Sequence, residues 1–418
     1  MHMYRRHIAS HLRNLMTDEQ VIILQGPRSV GKSTVLRALA ADLDVGIIDM
    51  EDPATLAAVK ADPHLFVTGE PPILIDEYQH VPELLRAIKS VLTTTSPGRF
   101  VLTGSTRHEA LSNIEALTGR LHVATVLPLT QLEMEDRDGS VLSIVRDAGS
   151  DAALSPRLSP TTRSEYIRRV VIGGFPLAVT RRTPGARARW FNDYVKLCLE
   201  RDVAELARID QKTALPVLLN HLMAGTAQLV NMDRISRDAD MNRMTATNYT
   251  KLLESVFLVN RLPSWGTTLG SRVTKHPKLH AVDSGLAAHL LRLSEEKLAS
   301  KYPPDLSQFG HLLETFVVGE VLAQTSWWDP GVTLGHWRTR DGAEVDVVIE
   351  LADGTVMAIE VKTSSNVGFG DWKGLRALRR KLGDRFRAGM VFYLGSRSIS
   401  LDDTIAAFPL DLLWSPVE

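Results

Sequence analysis

An α/β chain with a parallel sheet near its start and a second α/β unit near its end is predicted by three observations. Apolar strand runs alternate with helical stretches over residues 1–140, the pattern of a parallel sheet covered by helices on both faces. The run Val21-Ile22-Ile23-Leu24 passes directly into a glycine-rich loop and then a helical stretch, Thr34-Val35-Leu36-Arg37-Ala38-Leu39. Towards the other end, residues 343–350 and 355–362 alternate at period two around Leu351-Ala352-Asp353-Gly354, which predicts a β-hairpin.

The glycine-rich loop is Gly26-Pro27-Arg28-Ser29-Val30-Gly31-Lys32-Ser33. Its glycines let backbone N–H groups close around phosphate oxygens, and the helix that follows presents its positive end to them. This spacing implies a bound nucleoside triphosphate held by Gly26 through Ser33 and by Thr34, with Lys32 at the β and γ phosphates and the Ser33 hydroxyl on Mg²⁺. Next, Pro72-Ile73-Leu74-Ile75-Asp76-Glu77 reads as a buried strand ending in two carboxylates. Asp76 is expected to hold Mg²⁺ through water and Glu77 to polarise an attacking water. A third strand, Arg99-Phe100-Val101-Leu102-Thr103-Gly104-Ser105, ends in small polar groups suited to sensing the γ-phosphate, Ser105 above all. Leu117-Thr118-Gly119-Arg120 then precedes a further apolar strand, which makes Arg120 the candidate arginine finger.

The middle of the chain is helical. Residues 141–162, rich in Asp, Gly, Ser and Pro, read as a linker or mobile loop, and residues 163–210 as a helical lid interrupted by Gly173-Gly174-Phe175-Pro176. From 211 to 300 three helices lead into a short strand. Arg234, Arg237, Arg243, Lys251, Arg261, Arg272, Lys275 and Lys278 make this stretch locally basic, so it is suited either to following a phosphate backbone or to contacting protein.

In the hairpin, the turn sets Asp346 opposite Glu360 and Glu344 opposite Lys362, and strand parity gathers all four on one face, away from Val345, Val347, Ile349, Met357, Ile359 and Val361. Acids grouped beside a lysine suit a divalent ion with a basic partner that orients water. Downstream, Trp372 through Leu382 carries a basic helical stripe, suited to phosphates or merely to solvent.

Composition narrows the classes. The chain has 418 residues, 48 Lys plus Arg against 49 Asp plus Glu, and one cysteine, Cys198. Near-neutral charge means that any nucleic-acid surface is local. A single cysteine excludes an intramolecular disulfide framework, and the histidines lack ligand spacing for zinc. With no signal-like start and no apolar run of membrane-spanning length, a cytoplasmic location without membrane contact is expected.

The order of the N-terminal motifs resembles an AAA+ ATPase core. More narrowly, Gly26-Pro27-Arg28, Leu102-Thr103-Gly104-Ser105, Gly119-Arg120 with Pro128-Leu129, Gly173-Gly174-Phe175-Pro176, Glu200-Arg201-Asp202-Val203, Lys275-His276-Pro277-Lys278-Leu279, Val282-Asp283-Ser284-Gly285-Leu286 and Phe408-Pro409-Leu410 resemble a bacterial and archaeal AAA+ group with a C-terminal domain of unknown function. That resemblance implies ATP with Mg²⁺, a homo-oligomer such as a hexameric ring, and Pro176 near the adenine. A small residue before an apolar helix is expected where Thr106-Arg107 stands, so the role of Ser105 departs from the pattern.

Residues 235–255 resemble a winged helix-turn-helix. The string from Asp346 to Glu360-Val361-Lys362 resembles the PD-(D/E)XK nuclease fold, 301–418 being the extent of that domain. The nuclease resemblance implies Asp346, Glu360 and Lys362 as catalytic residues, Glu314 on the preceding helix as a further ligand, a second Mg²⁺ or Mn²⁺ held by Glu314, Asp346 and Glu360, and DNA as the partner. Two functions follow: ATP-controlled action on DNA with cleavage, or a nucleotide-driven switch whose C-terminal domain binds nucleic acid or protein without cutting it.

Overall fold

The computed structural model describes residues 4–92, 97–107, 117, 119–156, 158–206, 213–267, 276–300 and 302–415. Among these residues the strands form three sheets, and no helix is long and apolar enough to cross a membrane.

The first sheet contains β1 (Val21–Gln25), β2 (Ile47–Asp49), β3 (Ile73–Asp76), β4 (Phe100–Gly104) and β5 (Leu121–Thr125), in the order β2-β3-β4-β1-β5. Its pairings are parallel. Side chains of the buried β1 alternate between two cores. Ile22 and Leu24 pack with Val35, Leu36 and Leu39 of the helix Lys32–Leu43, while Val21 and Ile23 pack with Leu84, Leu85 and Ile88 of the helix Leu84–Val91. The unbroken apolar runs of the sequence are therefore strands covered on both sides. Ligands of such sheets sit beyond the carboxyl ends of the strands, and there the loop after β1 meets the ends of β3 and β4.

Helices Arg163–Ile172 and Pro184–Leu197 follow, joined through the short turn Pro176–Val179, and the second runs into a π-helical turn at Cys198–Asp202. The stretch 141–162, expected as a linker or mobile loop, carries the helix Val141–Ala148 and then docks on a distant part of the chain. Ser159 Oγ and Thr161 Oγ1 donate to Asp411 Oδ2 at 2.6 and 2.7 Å. Its polar composition reads as loop because the group that satisfies it lies 250 residues away in sequence.

The helices Ala214–Ala224, Met232–Asp238 and Arg243–Ser255 combine with β6 (Gln228–Leu229), β7 (Val259–Leu262) and β8 (Lys278–Ala281), an antiparallel sheet ordered β6-β8-β7. Asn242 starts the third helix by accepting a hydrogen bond from the Thr245 N–H at 2.8 Å. This is a winged helix-turn-helix in topology. Arg272 and Lys275 of its expected basic segment lie outside the described residues.

The third sheet is mixed. It contains β9 (Thr333–Arg338), β10 (Glu344–Glu350), β11 (Val356–Val361), β12 (Phe386–Tyr393), β13 (Ile399–Asp402) and β14 (Ile405–Pro409), in the order β13-β14-β12-β11-β10-β9. The long helix Pro303–Thr325 covers the face bearing Val347, Ile349, Met357 and Ile359, and the helix Lys373–Leu382 covers the face bearing Val348, Val356 and Ala358. The hairpin has the register the sequence predicts, Val347 opposite Ile359 through Glu350 opposite Val356. Strand parity fails just before it. A bulge in β10 between Val345 and Val348, against β9, turns Val345 to the side of Val348 and Trp337 instead of Val347. The expectation of a single face for Glu344, Asp346, Glu360 and Lys362 does not survive this extra residue.

Candidate functional site

The loop after β1 adopts the backbone its glycines allow. Gly26 has φ 155°, and a Cβ there would lie 2.1 Å from the Val126 carbonyl oxygen. Gly31 has φ 98° and hands over to the helix Lys32–Leu43, whose free N–H groups form an anion site. Lys32 is buried and its Nζ donates to the carbonyls of Gly26 and Pro27 at 3.0 and 2.9 Å. Burial lowers the Lys32 pKa, and the charge of Glu77 opposes that shift. A desolvated ammonium hydrogen-bonded to two neutral carbonyls can exchange them for phosphate oxygens.

Thr103 organises the acids. Its hydroxyl donates to Asp76 Oδ1 and accepts from the Glu77 N–H at 3.1 Å. Glu77 itself has φ 55°, uncommon for a residue with a side chain. Gln79 Nε2 donates to Glu77 Oε2 and, at 3.2 Å, to Ser105 Oγ, so the expected water activator and γ-phosphate sensor share one amide. Sequence reading misses Gln79, which no spacing marks. Asp76 and Ser33 are the residues that would hold Mg²⁺: an acid fixed by a hydroxyl and a hydroxyl at a helix start suit a hard cation.

Two distant segments brace the loop. Arg28 forms a bidentate pair with Asp202 of the π-helical turn, Nε to Oδ2 at 3.1 Å and Nη2 to Oδ1 at 2.9 Å. Burial works against the guanidinium charge, but the Asp202 hydrogen bond and charge outweigh it and raise the Arg28 pKa. Arg6 donates to Glu133 Oε1 at 2.9 Å, to the Leu127 carbonyl at 2.7 Å and to the Val30 carbonyl. Arg6 carries no local signal of this role, and Asp202 is marked only as part of the string Glu200-Arg201-Asp202-Val203.

Of the remaining expected residues, Pro176 begins the turn Pro176–Val179, anchored through Gly174, whose N–H donates to Asp283 Oδ2 at 2.6 Å and whose carbonyl accepts from the Leu129 N–H at 2.8 Å. Burial pushes the Asp283 pKa up to about 6. Arg120 is exposed, donates to the Leu92 carbonyl at 3.1 Å and precedes the amino end of β5. In a parallel sheet that is the edge opposite its own phosphate loop. Thr118 beside it lies outside the described residues. Arg107, two residues beyond Ser105, docks on the winged helix. Its N–H donates to the Ser255 carbonyl, its Nε to the Glu254 carbonyl and its Nη2 to Asn260 Oδ1, at 2.8, 2.8 and 2.7 Å, while its guanidinium stacks 4.4 Å over Phe257.

The C-terminal acids are arranged differently from expectation. Lys278, expected on a basic surface, is buried, and its Nζ lies 2.8 Å from Glu314 Oε1, 2.7 Å from Glu344 Oε1 and 3.1 Å from Asp346 Oδ1. The second Asp346 oxygen accepts from the Val361 N–H at 3.0 Å. Glu360 instead pairs with Lys362 at 3.0 Å, in space left by Gly374. Burial, with the Asp346 charge second, raises Glu314 well above the ordinary range and pushes Glu360 up to about 8. Burial opposes the Lys278 charge, yet Asp346, Glu314 and Glu344 together raise its pKa. Among the described residues no three His, Cys, Asp or Glu side chains are arranged to hold a metal ion. The expected second Mg²⁺ or Mn²⁺ on Glu314, Asp346 and Glu360 therefore does not fit this donor set, which is divided between two lysines.

Loop, acids and parallel sheet make the N-terminal domain an AAA+ ATPase core. A family profile described as an AAA domain matches residues 18–135, and profiles described as domains of unknown function match 163–297 (DUF8612) and 309–413 (DUF4143). Over 97% of its length the chain is 30% identical to the uncharacterized proteins Rv2008c of Mycobacterium tuberculosis and Mb2031c of Mycobacterium bovis, covering 84% of each. It belongs to the family of these mycobacterial proteins. Solved structures of Thermotoga maritima RuvB are also similar. A point mutant of RuvB is 18% identical with a TM-score of 0.29 (62% of this chain, 91% of that one), and the RuvB Holliday junction branch migration motor is 20% identical with a TM-score of 0.27 (61% and 86%).

Proposed function

We propose that this chain is an ATP-driven switch acting on DNA, in which hydrolysis in the N-terminal domain sets the engagement of the winged helix and the C-terminal domain. Residues Gly26 to Thr34 bind the triphosphate, with Ser33 and Asp76 as the residues for Mg²⁺. That ion, when bound, neutralises charge developing on the phosphates. Glu77 orients the attacking water, Ser105 reports on the γ-phosphate through Gln79, and Arg120 serves the site of a neighbouring copy in a homo-oligomer, a hexamer being the form the AAA+ resemblance implies. Thr103 holding Asp76 and Glu77 together beside the phosphate loop is the observation that carries the catalytic reading.

Support for DNA comes from the helix Arg243–Ser255, which exposes Arg243, Met244, Asn248 and Lys251 along one side. A helix-turn-helix uses such a helix in the major groove. Binding without cleavage is the reading favoured for the C-terminal domain, because Lys278 already satisfies three of its acids. Fluorescence anisotropy of labelled duplex, branched and single-stranded DNA with ATP, ADP and no nucleotide tests the proposal. Nucleotide-dependent affinity that Lys251→Ala weakens supports it. Metal-dependent cleavage that disappears in Asp346→Ala would replace binding by hydrolysis as the task of the domain.

A further inference from the structure

We propose that Lys278 is the resident cation of the C-terminal acid cluster: an ammonium from the winged-helix sheet fills the position that a divalent ion would need. An ammonium has three N–H donors and no acceptor. Here three carboxylates, Glu314 on the helix Pro303–Thr325 and Glu344 and Asp346 on β10, lie 2.7–3.1 Å from one nitrogen. The ammonium donates to Glu314 and Asp346, and Glu344 adds a third ion pair. These separations belong to hydrogen-bonded ion pairs and exceed the 2.0–2.1 Å at which oxygen ligands close on Mg²⁺.

The acids are also unable to regroup around a smaller ion while Lys278 stays. Asp346 is fixed through its other oxygen by the Val361 N–H. Lys278 is fixed by β8, which pairs with both β6 and β7. From the same strand His280 Nδ1 lies 3.3 Å from Thr315 Oγ1, one residue from Glu314, and Thr315 Oγ1 lies 2.8 Å from Thr226 Oγ1 of the winged-helix domain. A second cation at the cluster would sit against the ammonium in a buried site, where like charges repel strongly. The cluster thus works as an ionic joint between two domains, and with β8 in place it is closed to divalent metal. This inference stands on the contacts alone and is independent of whether DNA is the partner.

Mn²⁺ titration of the full-length, nucleotide-free protein, followed by the electron paramagnetic resonance signal of the free ion, tests it. Wild type is expected to take up no more Mn²⁺ than Asp346→Asn. Lys278→Met removes the ammonium while keeping the rest of the side chain's length, and is expected to gain about one bound Mn²⁺ per chain, which adding Asp346→Asn abolishes. Stoichiometric uptake by wild type that Asp346→Asn or Glu314→Gln removes would overturn the proposal, as would a folded Lys278→Met protein that gains none. Because the wild-type comparison needs no altered lysine, it decides the matter even where Lys278→Met fails to fold.

Discussion

Glu77, Gln79 and Ser105 form a chain of three polar groups, with Gln79 donating to the other two, and the roles proposed for them separate binding from turnover. Glu77→Gln keeps the shape of the site and removes the base, so ATP binding is expected to persist while hydrolysis falls roughly 10²–10⁴-fold, the range for a positioned general base. Gln79→Leu leaves both acids in place but disconnects Ser105. It is expected to lower kcat with little change in nucleotide affinity, checked by steady-state hydrolysis beside equilibrium binding of a fluorescent ATP analogue. Wild-type turnover in Glu77→Gln would remove the assignment. Another residue makes stability depend on pH. Glu320, buried against the Gln131 N–H at 2.8 Å and Gln324, is pushed up to about 8 by burial. The native state then holds a proton that the unfolded chain has released, so this contribution is intact below about 4.5, the ordinary glutamate value, and is lost as pH rises towards 8. Urea denaturation at pH 5 and pH 8.5 is expected to show wild type losing stability relative to Glu320→Gln. An unchanged difference between the two would show that Glu320 titrates normally.

At the scale of elements, what could be read in the sequence was what depends on near neighbours. The phosphate loop and its flanking strand and helix are contiguous, and the hairpin register follows from one four-residue turn. The bulge in β10 is set by its pairing with β9, and Lys278 meets Glu314 and Asp346 from 36 and 68 residues away. No local periodicity encodes either. The same limit hid the contact between Arg107 and the helix Arg243–Ser255, although the departure at Thr106-Arg107 from the resembled pattern marked the place. Arg107→Ala is expected to cost roughly 2 kcal/mol through its charged hydrogen bonds, and to leave basal hydrolysis while weakening any nucleotide-dependent change in the winged helix, measured by hydrogen exchange with and without ATP. Gly374 offers a second test of element packing. A Cβ there would fall 1.8 Å from the Glu344 carbonyl oxygen, so Gly374→Ala is expected to push the helix Lys373–Leu382 off the sheet and cost about 1–3 kcal/mol, as overpacking does. Unaltered thermal stability would mean that the helix has slack.

At the scale of the whole molecule, the role proposed for Arg120 ties hydrolysis to assembly. Arg120→Ala is expected to reduce hydrolysis on the order of 10³-fold or more with ATP binding retained, and wild-type specific activity is expected to rise with protein concentration. Sedimentation showing a monomer with concentration-independent activity would exclude a shared site. Within one copy the domains are bound to one another by more than Lys278. The Trp265 N–H donates to the His336 carbonyl at 2.6 Å, and the His336 N–H donates to the Pro263 carbonyl at 2.9 Å, stitching the edge after β7 to β9.

Asp411 belongs to the C-terminal domain, yet Ser159 and Thr161 hang from its carboxylate and the Tyr166 hydroxyl meets its backbone N–H at 3.3 Å. A premature stop codon anywhere between the lid and that position would therefore be felt at the helix Arg163–Ile172, where the lid begins. Recombination that grafted this ATPase onto a foreign C-terminal domain would meet the same obstacle. The stretch ahead of the lid and the C-terminal domain thus share a contact made across 250 residues of sequence.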